Sequence, residues 1–388
     1  MNFVCDQQAL YDMVTYISRY STKFGISGKE QLLFLSVKDE ILTLKGASFA
    51  IYSVVNTPVQ MKETGEAVVD GQLLLNMIST MAPGDIIVSG EKRLTLKQGQ
   101  TVHRLSTGSV GDFPLIPEVT SNTDMVVDAN MLVEAFSRVG FAKQDDKGFT
   151  MPVLGGYFID LDVGTVLATD KYRIAYYTLE KGGGQIIFPA DGAETLSRAL
   201  KLCPANSIRI QPTANEGWTL LTLTNGVIDV SVYVASIAGK YPLAFDFVDE
   251  IRNRPNATSI SVSKKDILPP LRLAKALSNL GGVFLRVTAG TGQYITLEMS
   301  TSDGEMCDRV GGNVFGDPVT FVISPTHFIQ IVNAAPEDQI DIKTWNPPQV
   351  VLITSGKSWG ALQALMEDRG AAKQQGEQQQ AGEDTEDF

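Results

Sequence analysis

Apolar residues recur at three- and four-residue steps in six stretches of the chain. These are Leu10, Val14 and Ile17; Leu74, Ile78 and Met81; Leu132, Phe136 and Val139; Leu196, Leu200 and Cys203; Ile267, Leu271 and Ala274; and Phe328, Ile331 and Ala335. Such steps place each set on one face of a helix. The third stretch follows Asp128, a suitable N-cap. Between the helical stretches lie short alternating or apolar runs of strand character, such as Ile51–Val54, Tyr157–Ile159, Val166–Ala168 and Ile295–Leu297. More strands follow the second, fourth and sixth helices, separated by turn residues such as Ser89-Gly90 and Asn225-Gly226.

The spacing of these elements reveals a repeat of structure rather than of letters. The first, third and fifth helices start near residues 7, 129 and 264, and the second, fourth and sixth near 71, 191 and 324. The pattern predicts three α+β domains, each with two helices packed on antiparallel sheet. Two helices cover one face of such a sheet and leave the other to pair with a neighbour. The Pro-, Asn- and Ser-rich stretches near 117–122 and 252–256 set domain limits of 1–120, 121–253 and 254–369. Pro269-Pro270 interrupt the fifth helical pattern, which predicts a helix starting near Pro270 after a short turn at Ser263–Asp266. From 370 to 388 no apolar period survives, and the segment reads as a disordered acidic tail.

Composition narrows the classes of function. Hydrophobic residues are 44% and charged residues 20% of 388, which suits a globular chain. No stretch approaches a membrane span, and the first residues are not those of a signal peptide. Cys5, Cys203 and Cys307 are too few and too scattered for a disulfide framework or a metal site, which fits a reduced cytoplasmic setting. The net charge of −12 argues against a uniformly basic nucleic-acid binder, but part of it sits in 371–388, where one lysine faces five carboxylates.

Catalytic constellations are lacking. The two histidines, His103 and His327, assemble no triad. Gly356-Lys357-Ser358 is preceded by Val351 where a P-loop needs glycine, Gly182-Gly183-Gly184 lacks dinucleotide spacing, and Asp160 with Asp162 reads as a solvated turn. No cofactor or metal is expected. Basic residues instead recur on helices of different repeats, away from the apolar stripes: Arg138 and Lys143, Arg198 and Lys201, Arg272 and Lys275. Any one pair suits a solvated helix face. Their recurrence in an acidic chain points to a surface for a polyanion.

One central stretch, Ala168-Thr169-Asp170-Lys171-Tyr172-Arg173-Ile174-Ala175, reads as a strand, a tight reversal and a second strand. Its Ala-Thr-Asp-x-x-Arg-Ile-Ala resembles the central hairpin of the bacterial β sliding clamps, the β subunits of DNA polymerase III. Leu105-Ser106-Thr107 with Gly111-Asp112-Phe113-Pro114, and Gly239-Lys240-Tyr241-Pro242, resemble two further motifs of that family in the same order. The resemblance implies three DNA-clamp domains in a crescent. Two crescents close head to tail into a ring that encircles duplex DNA without regard to sequence. It implies a non-enzymatic role, with a DNA polymerase, a clamp loader and a second copy as partners, and no membrane.

Carried over by position, the resemblance adds Lys23 and Gln144 to the DNA-binding set, with Lys147 and Lys29 as weaker additions. It puts His103 and Leu105 against Ala276 and Leu277 at the dimer interface. It builds a partner-peptide pocket from Leu154, Thr169, Lys171, Tyr172, Arg173, Ile174, Pro242 and Phe247. The chain departs from the family in three places. Lys171-Tyr172 replaces Gly-His, Leu365-Met366-Glu367-Asp368-Arg369 replaces Met-Pro-Met-Arg-Leu, and His103 replaces a large apolar residue. These departures suit a phage or otherwise specialised clamp. The alternative is a clamp-fold interaction or regulatory scaffold that does not encircle DNA.

Overall fold

The computed structural model describes residues 1–20, 32–48, 50–90, 92–117, 124–144, 151–212, 217–242, 244–279, 284–290 and 292–366. Lys23, Lys29, Lys147 and the expected acidic tail lie outside the described residues.

The first repeat runs β1 (Asn2–Asp6), α1 (Gln7–Ser18), β2 (Leu32–Lys38), β3 (Ile41–Ala47), β4 (Ile51–Pro58), β5 (Gln60–Glu63), β6 (Gly65–Asp70), α2 (Gly71–Ser79), β7 (Asp85–Gly90), β8 (Arg93–Gln98) and β9 (Thr101–Ser106). The second runs β10 (Met125–Asp128), α3 (Ala129–Val139), β11 (Gly156–Asp160), β12 (Thr165–Thr169), β13 (Arg173–Thr178), β14 (Gln185–Pro189), α4 (Ala190–Leu202), β15 (Ser207–Pro212), β16 (Trp218–Thr224) and β17 (Asp229–Ala235). After α5 (Ala244–Asn253), the third runs β18 (Thr258–Ser263), α6 (Lys264–Ser278), β19 (Leu285–Ala289), β20 (Tyr294–Ser300), β21 (Glu305–Phe315), β22 (Val319–Ile323), α7 (Pro325–Ala334), β23 (Gln339–Thr344), β24 (Val350–Ser355) and β25 (Trp359–Ala364).

Local chemistry explains the helix starts. Asp6, Asp70, Asp128 and Ser324 each cap a helix with a side-chain oxygen that accepts from the third residue on. The fifth predicted helix, α6, differs from expectation. It starts at Lys264, with Ser263 as N-cap, and keeps Pro269 and Pro270 inside. The two prolines forfeit two helical hydrogen bonds. Tertiary anchors outweigh that loss: Ile267, Leu271 and Ala274 are fully buried, and Lys264 Nζ donates to the carbonyls of Asn333 and Ala335.

The chain forms two compact units. The first comprises Met1–Glu134, Gly155–Gly164 and Glu180–Lys240. It holds a five-stranded sheet, β5-β1-β7-β8-β9, and an eight-stranded sheet, β10-β15-β16-β17-β4-β3-β2-β6. Burial alternates along β4, β16 and β17, because α1 and α4 cover one face of that sheet. The core beneath α1 is made by Leu10, Met13, Val14 and Ile17 with Leu42, Leu44 and Val55.

The second unit comprises Ala135–Leu154, Thr165–Leu179 and the described residues from Tyr241 onward. Its strands pair antiparallel in the order β12-β13-β25-β24-β23-β18-β21-β20-β19-β22. Helices α6 and α7 pack together over them. In both units, neighbouring repeats join edge to edge rather than face to face. β4 of the first repeat pairs with β17 of the second. β13 of the second pairs with β25 of the third. A backbone ladder satisfies every edge amide and carbonyl it covers, which side-chain stacking between sheets would leave bare.

Candidate functional site

The hairpin between β12 and β13 reverses over Asp170, Lys171 and Tyr172, with Thr169 paired to Ile174. Asp170 organises it. One carboxylate oxygen accepts the backbone N–H groups of Tyr172 and Arg173 at 3.0 Å each. The other accepts from Arg173 Nε at 2.9 Å. Thr169 Oγ1 donates to the Arg173 carbonyl at 2.7 Å and accepts from the Lys171 amide at 3.1 Å. Lys171 adopts φ +80°, a left-handed conformation that costs a side-chain-bearing residue about 1–2 kcal/mol and that glycine adopts freely. The network of Asp170 and Thr169 holds it there.

Arg173 is 8% exposed and is held on three sides. Besides Asp170, its Nη1 donates to Gln330 Oε1, and its guanidinium lies over the Phe141 ring, 5.4 Å from the centroid. Behind the hairpin, the Thr169 amide donates to the Tyr241 hydroxyl at 3.1 Å. Burial pushes the Tyr241 phenol above its ordinary pKa, so it stays neutral. His327 on α7 is shifted the other way, downward, first by burial and then by the Arg173 charge, so the ring is neutral at pH 7.

This hairpin forms one wall of a groove of about 820 Å³. Lys171, Tyr172, Arg173, Ile174 and Phe247 all line it, and the structure brings these five sequence-derived candidates together. Leu154 and Thr169 are buried, and Pro242, next to Tyr241, is half-buried; none of the three is among the lining residues. Sequence reasoning missed the opposite wall. Glu250, Ile251 and Arg254 come from α5 and its exit, and Val350, Leu362 and Ala364 from β24 and β25. The floor is apolar, and Tyr172 and Phe247 stand 67% and 42% exposed at the rim. α5 is fixed by its arginines: Arg252 stacks over Tyr176 and Arg254 over Trp345, 5.2 and 5.6 Å from the ring centroids. Acidic Asp246 in its first turn and Arg252 in its last were the available helix signals.

The basic residues fall into two kinds. Arg138 Nη1 donates to the carbonyls of Ala334 and Ala335, at the C-terminal end of α7, where Lys264 also donates. Two cations at one helix C-terminus offset its negative dipole end. The Lys264 pKa is lowered by burial and by Arg138. Lys143 and Gln144 are half-buried, and the Gln144 amide donates to the Leu154 carbonyl at 2.9 Å. Arg198 and Lys201 instead line a second groove, between α1 and α4, of about 640 Å³. Arg19, which sequence reasoning missed, joins them, with Asp12 on the same lining. Arg198 pairs with Glu194 one turn back. Arg272 and Lys275 are exposed on α6.

Of the interface candidates, His103 and Leu105 lie on β9, the edge strand of the five-stranded sheet. Leu105 is buried, and His103 Nε2 is 3.4 Å from Thr80 Oγ1. Ala276 is exposed and Leu277 half-buried at the end of α6. Among the described residues, no group of three or more His, Cys, Asp and Glu could hold a metal ion, and no helix is long and apolar enough to cross a membrane.

Comparison with known proteins gives one consistent family. No family model matches the chain. The Beta sliding clamp of Streptomyces coelicolor is 22% identical over 343 residues, covering 82% of this chain and 85% of that protein. The Beta sliding clamp of Chlamydia trachomatis is 21% identical over 330 residues, 81% of this chain and 75% of that one. Among solved structures, the DNA polymerase III subunit beta of Pseudomonas aeruginosa superposes with a TM-score of 0.81 at 17% identity, covering 95% of this chain and all of that one. The beta subunit of Thermotoga maritima superposes at 0.77 and 18% identity, covering 94% and 99%. The chain therefore has the fold of the bacterial beta sliding clamps and is distantly similar to them in sequence over most of its length.

Proposed function

We propose that the chain is a DNA sliding clamp: two copies close head to tail into a ring around duplex DNA and tether a replicative polymerase for processive synthesis. The observation that carries this reading is the pair of internal junctions. β17 closes on β4 and β25 on β13. The remaining edges of the same kind, β9 and the Glu305–Gly311 half of β21, have no second strand partner among the described residues. An edge that two repeats fill and the third leaves open is filled by a second copy, and a heterologous contact of this kind makes a closed ring when its rotation closes. The chain itself does no chemistry in this role. Three domains, 1–120, 121–253 and 254–369, supply six to the ring, and the protein acts in the cytoplasm.

DNA is held by phosphate contacts from helix-borne cations, with Arg198, Lys201, Arg272 and Lys275 as the accessible set and Arg19 added from the α1–α4 groove. Arg138 contributes by fixing α7 as well as by its charge. Such contacts ignore sequence and weaken with salt. The groove beside the hairpin takes a short peptide from the polymerase or the loader, its apolar floor supplying affinity and Tyr172 and Phe247 clasping the anchor.

The reading predicts a measurable salt response. Replacing Arg198, Lys201 and Arg272 with glutamine should weaken association with a nicked plasmid, and every phosphate left without its cation should flatten the log–log salt slope by about 0.9. Fluorescence anisotropy across a salt series measures both. An unchanged affinity and slope would favour the scaffold that does not encircle DNA.

A further inference from the structure

The groove beside the hairpin has a charge as well as an apolar floor. Lys171 on one wall and Arg254 on the other are exposed cations, and Glu250 is the carboxylate among the lining residues. Arg173 lines the groove too, but Asp170 already meets its charge. An occupant that suits this groove carries an aromatic or aliphatic anchor for the floor and carboxylates for the rim.

The chain holds such a segment. Among residues 367–388 Phe388 is the one large apolar side chain, and it follows Glu383-Asp384-Thr385-Glu386-Asp387. Four carboxylates therefore stand within five residues of a lone aromatic ring. The net charge of the whole chain is negative, so a run of this kind is repelled by most of the surface and drawn to exposed cations.

The strand that leads to this segment leaves the fold at the groove. β25 ends at Ala364, which lines the groove. The Leu365 amide donates to the carbonyl of Gln349, another lining residue, at 2.9 Å, and the Met366 amide donates to the Val322 carbonyl at 3.1 Å. Residues 367–382 then separate Met366 from Glu383. A coil of that length has an r.m.s. span of about 20–24 Å. Such a link holds an attached segment at a millimolar effective concentration about its point of attachment.

We propose that residues 383–388 dock in the groove of their own chain, with Phe388 on the apolar floor between Tyr172 and Phe247 and the carboxylates toward Lys171 and Arg254. The proposal rests on the reading of the groove as a peptide site and gives that site a built-in competitor. At an effective concentration of about 1 mM, a segment with an intrinsic dissociation constant of about 0.1 mM fills the groove about nine-tenths of the time. It then weakens every incoming peptide about tenfold, so only a partner with a tighter anchor, or several anchors at once, displaces it. Salt loosens the segment, because part of its hold is between exposed charges.

A labelled peptide of residues 381–388, followed by fluorescence anisotropy, tests this on the whole chain. At low salt it should bind the Phe388→Ala chain about tenfold more tightly than the wild type. Replacing the four carboxylates of 383–387 with their amides in the chain should free the groove in the same way. Adding Tyr172→Ala and Phe247→Ala to Phe388→Ala should abolish the binding. Equal affinity for the wild type and Phe388→Ala would overturn the proposal. So would binding that survives the loss of Tyr172 and Phe247, which places the segment elsewhere. A particle mass in solution that falls on Phe388→Ala would assign the segment to the groove of a second copy, and would overturn it as a contact within one chain. Random peptides displayed on phage and selected on the Phe388→Ala chain separate the two readings. Selected peptides that need Tyr172 and Phe247, but that the 381–388 peptide does not displace, would sink this proposal and leave the peptide groove standing. A selection that yields none dependent on Tyr172 and Phe247 would sink the peptide groove itself.

Discussion

Replacing Arg173 with alanine is expected to destabilise the second unit by about 3–5 kcal/mol, the cost of removing one partner from a buried ion pair. The guanidinium is 8% exposed and its partner carboxylate 14%. Its removal leaves Asp170 with a buried negative charge and only backbone donors, leaves Gln330 Oε1 without its donor, and takes a cation from over the Phe141 ring. The loss falls on the hairpin that carries Lys171 in its left-handed conformation, so the wall of the peptide groove should loosen with it. Thermal denaturation should show a drop on the order of 10 °C. Arg173→Lys should recover only part of it, because an ammonium cannot make the forked contacts to Asp170 and Gln330 together. A fall of under 1 kcal/mol would show that the hairpin stands without this network.

Gly360→Ala is the second large effect. Gly360 lies opposite Tyr176 in the β25–β13 ladder that joins the second and third repeats. A methyl group built on it would stand 2.5 Å from the Tyr176 Cζ and 2.7 Å from Cε1. Tyr176 cannot swing away cheaply: it is 3% exposed and lies beneath the Arg252 guanidinium. Burial also raises the Tyr176 phenol pKa, against the lowering by Arg252, so there is no charge to gain by exposure at neutral pH. Overpacking of this kind costs about 3 kcal/mol. Urea unfolding measures it, and adding Tyr176→Ala to Gly360→Ala should recover stability relative to Gly360→Ala alone, a non-additivity that marks direct contact. A neutral Gly360→Ala variant would show that the ring has room to move.

Much of this architecture was legible in the chain. The apolar stripes of the six expected helices fall on the buried faces of α1, α2, α3, α4, α6 and α7, except that Leu200 of α4 is half-buried and Ala199 takes its place in the core, and the expected reversal at Asp170-Lys171 is a hairpin held by the Asp170 carboxylate. Periodicity reports what one element buries, and so it served there. It failed where a distant element decides the outcome. The prolines of α6 sit in a helix because Lys264 is tied to the end of α7, some seventy residues on, and Ile267 is buried. Arg138 has the sequence signature of a surface cation because it lies off the stripe of Leu132 and Phe136, yet its guanidinium serves the end of that same helix α7. α5 escapes notice because it follows Gly239-Lys240-Tyr241-Pro242 and runs into a domain limit. Its Val248 and Ile251, three residues apart and both buried, are the signal that marks it. Glu250, Ile251 and Arg254 of the groove lining are hidden with it. The edge-to-edge joining of repeats was the least legible feature, since a strand's sequence records which face is buried and not which strand stands beside it.

The measurement that tests the account most directly is the mass in solution, by light scattering across a range of concentration at low and moderate salt. The account predicts a closed particle of twice the 42.0 kDa chain mass, with no larger species, because the two open edges of each copy are consumed in one ring. A monomer throughout would contradict it, and so would a ladder of ever larger species, the mark of head-to-tail contacts that do not close.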